Sequence, residues 1–316
     1  FGENKRWSTD VKVQYMNNNA VNRPTSGQNN GNAYSTLFTM PRSLSILDYK
    51  NPLTNTGKMY WYGTTNSINP YWLAEYQQNN DVRNRYMMNA NIKYKLTDWL
   101  DAEARTGMDS YVTRFDNRTY GGSPMAANGK YANGKTEFAE RNYTLALHAR
   151  KDELGGSKWG LSGSLFGQIM KSNETMLNVN AGELEVPNFF SVQNGVGNPA
   201  VDQLNNRKQI NSIYATAEVN YDGFWFLTLT GREDWSSTLA DPFFYPSVST
   251  SLVISDMIRK RGGNLPEFIS FLKVRGSYAE VGNDTRPYQL YNSYAVGKDP
   301  NGNAVGSYDE VKFNPA

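Results

Sequence analysis

Between Tyr86 and Asp109, apolar and polar residues alternate for the length of a strand, reverse at a tight turn and alternate again. Met88, Ala90, Ile92, Tyr94 and Leu96 share one phase, and Asn89, Asn91, Lys93 and Lys95 share the other. After Thr97, Asp98 and Trp99, the returning segment sets Leu100, Ala102, Ala104 and Met108 against Asp101, Glu103, Arg105 and Asp109. Strand side chains point alternately to opposite faces, so a sustained period of two separates an apolar environment from a wet one. Soluble strands usually stop after about 5 to 6 residues. This alternation runs roughly twice as far, the length that crosses a bilayer at a tilt of about 45°. Met88, Ala90, Ile92, Tyr94 and Leu96 are therefore predicted to face lipid.

Helical membrane spans are excluded, because no run approaches roughly 18 consecutive apolar residues. A barrel strand offers lipid only every second residue, so low mean hydropathy does not separate it from a soluble sheet. The 21 Tyr, 14 Phe and 7 Trp weigh more, since Trp99, Trp159, Tyr221, Phe224 and Trp225 all flank short turns. Amphipathic rings at strand ends are expected to form a girdle at the headgroup level. With a formal charge of +2 and Lys and Arg dispersed along the chain, the basic field that nucleic acid requires is lacking. The absence of cysteine fits envelope and cytosol alike. Phe1 opens the chain without a signal-peptide pattern, and the chain reads as a piece of a longer protein.

Alternation predicts about ten strands. They are Thr9–Met16, Arg85–Leu96, Leu100–Thr113, Arg141–Lys151, Lys158–Met170, Ser212–Tyr221, Phe224–Asp234, Tyr245–Ser255 and Phe271–Glu280, with a weaker one near Tyr288–Val296. Short connections (Thr97–Trp99, Asp152–Ser157, Asp222–Gly223) take turns with long ones rich in Asn, Gly, Ser and Pro (Asn17–Asn84, Arg114–Glu140, Lys171–Asn211). An up-and-down barrel places every second connection on the same side of the membrane, short inside and long outside. The expected fold is thus an all-β, antiparallel, up-and-down transmembrane β-barrel, of which residues 1–316 supply part, with long extracellular loops and no plug domain.

Chemistry finds little purchase. His148 is the single histidine, which rules out a His-rich metal site, and it falls in the polar phase of its strand. No G-x-S-x-G elbow precedes a helix; Gly160-Leu-Ser-Gly163 lies inside a strand. Glu233 and Asp234 are adjacent and point to opposite faces, which prevents them from acting as a pair. Gly195-Val-Gly197-Asn-Pro199 lacks the following helix that would hold an anion. Asp299, Asn301, Asn303 and Glu310 have EF-hand-like spacing, but Ala304 stands where the loop requires Gly; a plain loop tip is the better reading. No enzyme activity, cofactor or metal is expected. Asn69, Tyr71 and Trp72 beside Pro70, with Arg118 and Tyr120, are the loop candidates for substrate contact, although aromatics next to Pro in an ordered loop read more readily as a packed turn than as a stacking platform.

The stretch REDWSSTLADPFFYPSVSTSLVISD from Arg232, followed by FLKVRGSYAEVGND from Phe271, resembles the SusC/RagA family of TonB-dependent outer-membrane transporters. NRPTSG from Asn22, MPRSLSILDYKNP from Met40, NPYW from Asn69 and LTDWLDAEARTGMD from Leu96 extend the resemblance over nearly the whole chain. It implies a plugged 22-stranded barrel in the outer membrane of a Gram-negative, Bacteroidetes-like bacterium. It also implies import of oligosaccharides or peptides, a SusD-like surface lipoprotein as lid, and energy from TonB-ExbB-ExbD through a plug absent here. Within the resembling stretch, Arg232, Asp234, Trp235, Ser236, Tyr245 and Pro246 are expected to be structural, fixing a bend and an inward ion pair. The alternative reading is a secreted all-β glycan-binding module or adhesin, which needs no lipid-exposed surface.

Overall fold

The computed structural model describes residues 6–25, 27, 31–63, 67–290, 294–299 and 301–307. Nine antiparallel strands form one sheet in chain order: β1 (Trp7–Ala20), β2 (Gln77–Lys95), β3 (Leu100–Tyr120), β4 (Gly129–Lys151), β5 (Trp159–Glu183), β6 (Ala200–Tyr221), β7 (Trp225–Ser236), β8 (Phe243–Val253) and β9 (Lys273–Ala279). A separate hairpin pairs β10 (Ala295–Lys298) with β11 (Ala304–Ser307). Three short helices lie in connections: α1 (Ala33–Thr39), α2 (Pro70–Tyr76) and α3 (Ile254–Lys260). Among the described residues no helix is long and apolar enough to cross a membrane.

The hairpin turns follow from local chemistry. Asp222 and Gly223 take φ of 50° and 65°, the left-handed pair that a two-residue turn requires and that Asp-Gly supplies at low cost. Lys158 and Lys260 both pair with the Asp222 carboxylate, at 2.8 and 3.0 Å. These hydrogen bonds, Lys158 first, hold that carboxyl below the usual Asp range.

Three expectations are corrected. Among the described residues nine strands, not ten, enter the sheet; of the weak tenth near Tyr288–Val296 only Ala295 and Val296 lie in a strand, that of the detached hairpin, and residues 291–293 fall outside the described residues, while β1 and β9 end the sheet without pairing to each other. The described residues thus form an open antiparallel arc, with no closure into a barrel among them. The long loops are largely ladder: Arg114–Tyr120 pairs with Gly129–Lys135, and Lys171–Asn180 pairs with Ala200–Gln209. Apolar and polar residues are mixed on both faces there, with Leu177, Val179 and Val201 in one phase and Met176 and Leu204 in the other, so the alternation that marks a half-apolar strand is absent although the backbone pairing continues. The strict taking of turns between short and long connections also fails, because residues 121–128 close β3 to β4 briefly while β8 to β9 carries α3.

Strands β2–β6 run 19 to 25 residues, about twice a membrane crossing, whereas β7–β9 have 12, 11 and 7. The sheet is a single layer. The fully buried clusters among the described residues are small and lie at the strand ends, around Ile68, Trp72 and Leu73 and around Tyr131, Ala181 and Leu184.

Candidate functional site

Register separates the two faces of the arc. One row links Ile92, Ala104, Leu145, Gly167 and Ile213 across five strands, and the next links Tyr94, Ala102, Leu147, Leu165 and Ala215. A third joins Leu100, Ala149, Gly163, Ala217, Leu229 and Val248. Nothing covers them: Leu145 is 69% exposed and Leu165, Ile213 and Leu229 are 50 to 55% exposed. Of the residues expected to face lipid, Met88, Ala90, Ile92 and Tyr94 lie in this phase, and Leu96 follows at the turn. Tyr94 packs on Trp7 at 4.4 Å between ring centres. At the lower rim Trp159 meets Tyr221 and Trp225 at 4.8 and 6.1 Å.

The opposite face is a continuous polar network. Lys93 pairs with Asp101 at 3.2 Å. Glu103, buried, accepts from Arg105 at 2.5 Å and meets His148 Nε2 at 2.7 Å, while His148 Nδ1 meets Ser164 Oγ at 2.8 Å. Phe166 and Tyr214 stack at 4.3 Å beside it. Arg232 lies over Tyr214 and donates to Asp234 and Ser212, both at 2.8 Å. Arg85 grips Asp109 with two guanidinium nitrogens, and Arg83 lies over Tyr111. Ser164, His148 and Glu103 have the connectivity of a hydrolytic triad. They lie in mid-strand, however, where backbone N–H groups are committed to the ladder and cannot serve an oxyanion.

The residues of the resembling stretch divide between the faces. Arg232 and Asp234 form the inward pair; Trp235 points outward, 40% exposed. Ser236 bonds Thr238 at 2.8 Å and Asp284 at 2.9 Å. Tyr245 meets Phe243 edge to face, and Pro246 pairs with Gly231 and accepts from the Glu280 N–H.

Beyond the apolar band the connections build an aromatic extension. Asn69 caps α2, accepting from the Tyr71 N–H at 2.9 Å, and its Nδ2 donates to the Tyr49 and Tyr60 carbonyls at 2.9 Å each. Pro70 opens the helix, where its missing N–H costs nothing. Asn69 and Trp72 are 0 and 1% exposed. Both are therefore enclosed as packing elements, while Tyr71, Arg118 and Tyr120 keep accessible surface. Trp72 stacks on Tyr76, Tyr76 meets Tyr120, and Tyr120 meets Phe190 at 4.9 Å. Arg118 lies over Phe190 and pairs with Asp116 at 2.5 Å; Asp116 also accepts from the Tyr131 hydroxyl at 2.9 Å. Burial first, then that carboxylate, pushes the Tyr131 hydroxyl above its ordinary pKa. Sequence reasoning missed Tyr76 and Phe190, whose partners come from distant connections.

In the loop of EF-hand-like spacing, the Asp299 carboxylate accepts from the Asn301 and Asn303 N–H groups at 2.9 and 2.8 Å, which ties it to the hairpin turn. Glu310 lies outside the described residues. No group of three candidate metal ligands occurs among the described residues.

No family model matches the chain, and no curated protein matches it. Solved structures do. The RagAB peptide transporter superposes with a TM-score of 0.72 at 17% identity, covering 96% of this chain and 35% of that one. The RagAB peptide importer in its closed-closed state gives 0.75 at 15% identity over 98% of this chain and 35% of that one. Its open-open state gives 0.71 at 17% identity over 96% and 34%. The chain thus spans about a third of the solved chains it matches. The expected membership in the SusC/RagA family is overturned: no family model bears it out, and identities of 15 to 17% with components of a RagAB assembly carry the fold alone.

Proposed function

We propose that this chain is an arc of a β-barrel wall in the outer membrane of a Bacteroidetes-like cell, and that the barrel takes up peptides or oligosaccharides. One observation carries the proposal: the sheet is a single layer with an uncovered apolar band on one face and an ion-paired network on the other. A soluble module would bury that band under a second layer; lipid covers it without one. The likeness to a peptide importer supports the fold and favours peptides as cargo. The polar face with its guanidinium groups and stacked rings suits peptide carboxylates, carbonyls and aromatic side chains. The aromatic extension, where Tyr71, Arg118 and Tyr120 keep accessible surface, is where a lid partner would dock. The work is binding and passage without covalent chemistry; energisation through TonB has no residue among these to carry it.

The chain has no cysteine, so single cysteines report without background. Leu165→Cys is expected to react with a lipid-confined probe and Ser164→Cys with a water-soluble maleimide. Equal aqueous labelling at both would sink the wall reading. Uptake of a fluorescent oligopeptide library by cells carrying the protein, compared with an oligosaccharide set, then decides cargo.

A further inference from the structure

The apolar band ends on a slant. Its upper outward residue is Met108 on β3, Tyr143 on β4, Ile169 on β5 and Ile213 on β6; in register Tyr143 and Ile169 are level with each other, two residues below Met108, and Ile213 is two residues lower again. Tilted strands crossing a flat layer produce this drift, because residues in register sit at different depths. Immediately above the band, Arg141 on β4 and Lys171 on β5 are direct cross-strand partners, and Arg207 follows on β6 opposite Asn173. All three are exposed, and among the described residues none has a carboxylate partner. Like charges directly opposite each other destabilise a sheet, so an anion held between Arg141 and Lys171 relieves a standing repulsion.

Below this pair the outward face carries a groove of about 850 Å³. Gly167 forms its floor between Leu145 and Ile213, which flank it in the same row, with Ile169 and Trp235 at its sides and Ala104 beyond Leu145. A Cβ added at Gly167 would meet nothing within 4 Å, so the depression exists because one strand presents no side chain between two large ones. Glu233, on the same face one strand beyond, does not line it.

We propose that this face holds a phosphate-bearing, acylated lipid of the outer leaflet. One acyl chain occupies the groove and the phosphate bridges Arg141 and Lys171, with Arg207 as a further donor. The charge complementarity selects the occupant: an apolar channel ending under unpaired cations matches a lipid whose anionic group sits directly above its chains. This inference rests on the reading that the apolar face meets lipid.

The test uses the full-length protein in phosphatidylcholine nanodiscs, offered lipid A or dephosphorylated lipid A, with retained lipid counted by native mass spectrometry. Lipid A is expected to be retained in preference. Arg141→Gln combined with Lys171→Gln should weaken its retention roughly 30-fold and erase the preference. Gly167→Leu, filling the groove, should weaken retention of both lipids, and Lys151→Gln at the opposite rim should change neither. Unchanged retention by the double variant in protein that still enters nanodiscs overturns the site and leaves the wall reading standing. Equal loss in Lys151→Gln also overturns it, since any surface cation would then serve. Wild-type protein that fails to enter nanodiscs overturns both readings together.

Discussion

Around Ala90, Thr106 and Tyr143, strands β2–β4 carry apolar side chains on one face and charge on the other; nearer their far ends the same strands set Arg114, Asp116 and Arg118 against Thr113, Asn117 and Thr119. The backbone ladder is continuous through both regions. What changes is the solvent. In the lower region the outward face is held by lipid in the proposed wall, and no side chain of the protein packs over it. In the upper region water wets both faces, and order comes from protein packing instead: the Asn69 cap, the Trp72–Tyr76–Tyr120–Phe190 ring series and the Asp116 pairings. The two regions therefore answer to different perturbations.

The largest expected effect belongs to the upper region. Trp72→Ala removes a fully enclosed indole and should cost about 3–5 kcal/mol of local stability, read as protease sensitivity of residues 31–76. Membrane assembly should be unaffected, and equal loss of assembly would break the comparison. Ile92→Arg acts on the lower region, placing a charge in the apolar band at a cost of about 2–4 kcal/mol near the bilayer midplane. Val201→Arg shares the outward phase but lies above the band and should stay within about 0.5 kcal/mol. Denaturant titrations in detergent or liposomes check both; similar costs at the two sites would show that lipid is not what distinguishes them. Asn69→Ala is smaller, about 1–3 kcal/mol, since it uncaps α2 and strands two carbonyls. Its readout is protection of α2, with Asn69→Asp restoring only the cap.

This division also governs what the sequence disclosed. The strands over Leu100–Met108, Tyr143–Lys151 and Leu161–Ile169 were legible because one face is apolar and the period of two is visible there. Their continuations, such as Lys171–Asn180 against Ala200–Gln209, were not, because apolar and polar residues mixed on both faces carry no period even when the backbone pairs. The inward pair of Arg232 and Asp234 was legible, as residues two apart on a strand share a face. The Glu103–His148–Ser164 series was not: all three fall in the polar phase, but only strand register, which the sequence does not reveal, brings them into contact. Asn69 and Trp72 read as either a packed turn or a stacking platform, packing favoured, because both use the same residue types; enclosure separates them, and enclosure depends on Tyr49, Tyr60 and Tyr120 arriving from elsewhere.

The smallest expected effect probes the junction where the segment after β9 returns to the strand ends. Asp284 is 13% exposed and accepts from Lys208 at 2.5 Å, Ser236 at 2.9 Å and Thr238 at 3.2 Å. Burial alone raises its carboxyl, and the hydrogen bonds led by Lys208 outweigh that and hold it below the ordinary Asp value. A carboxyl depressed in the folded state contributes stability above its unfolded value of about 3.9 and loses it as pH falls through the lower folded value. Hydrogen exchange of residues 280–290, corrected for intrinsic rate and followed from about pH 5 to about pH 3, should accelerate in that window in the wild type. Asp284→Asn should exchange faster at the upper pH and show no acceleration of its own, while Asp222, anchoring a turn at the far rim, continues to titrate independently. If the variant keeps the wild-type acceleration, the tether belongs to another group, and the upper region is held by its aromatic packing alone.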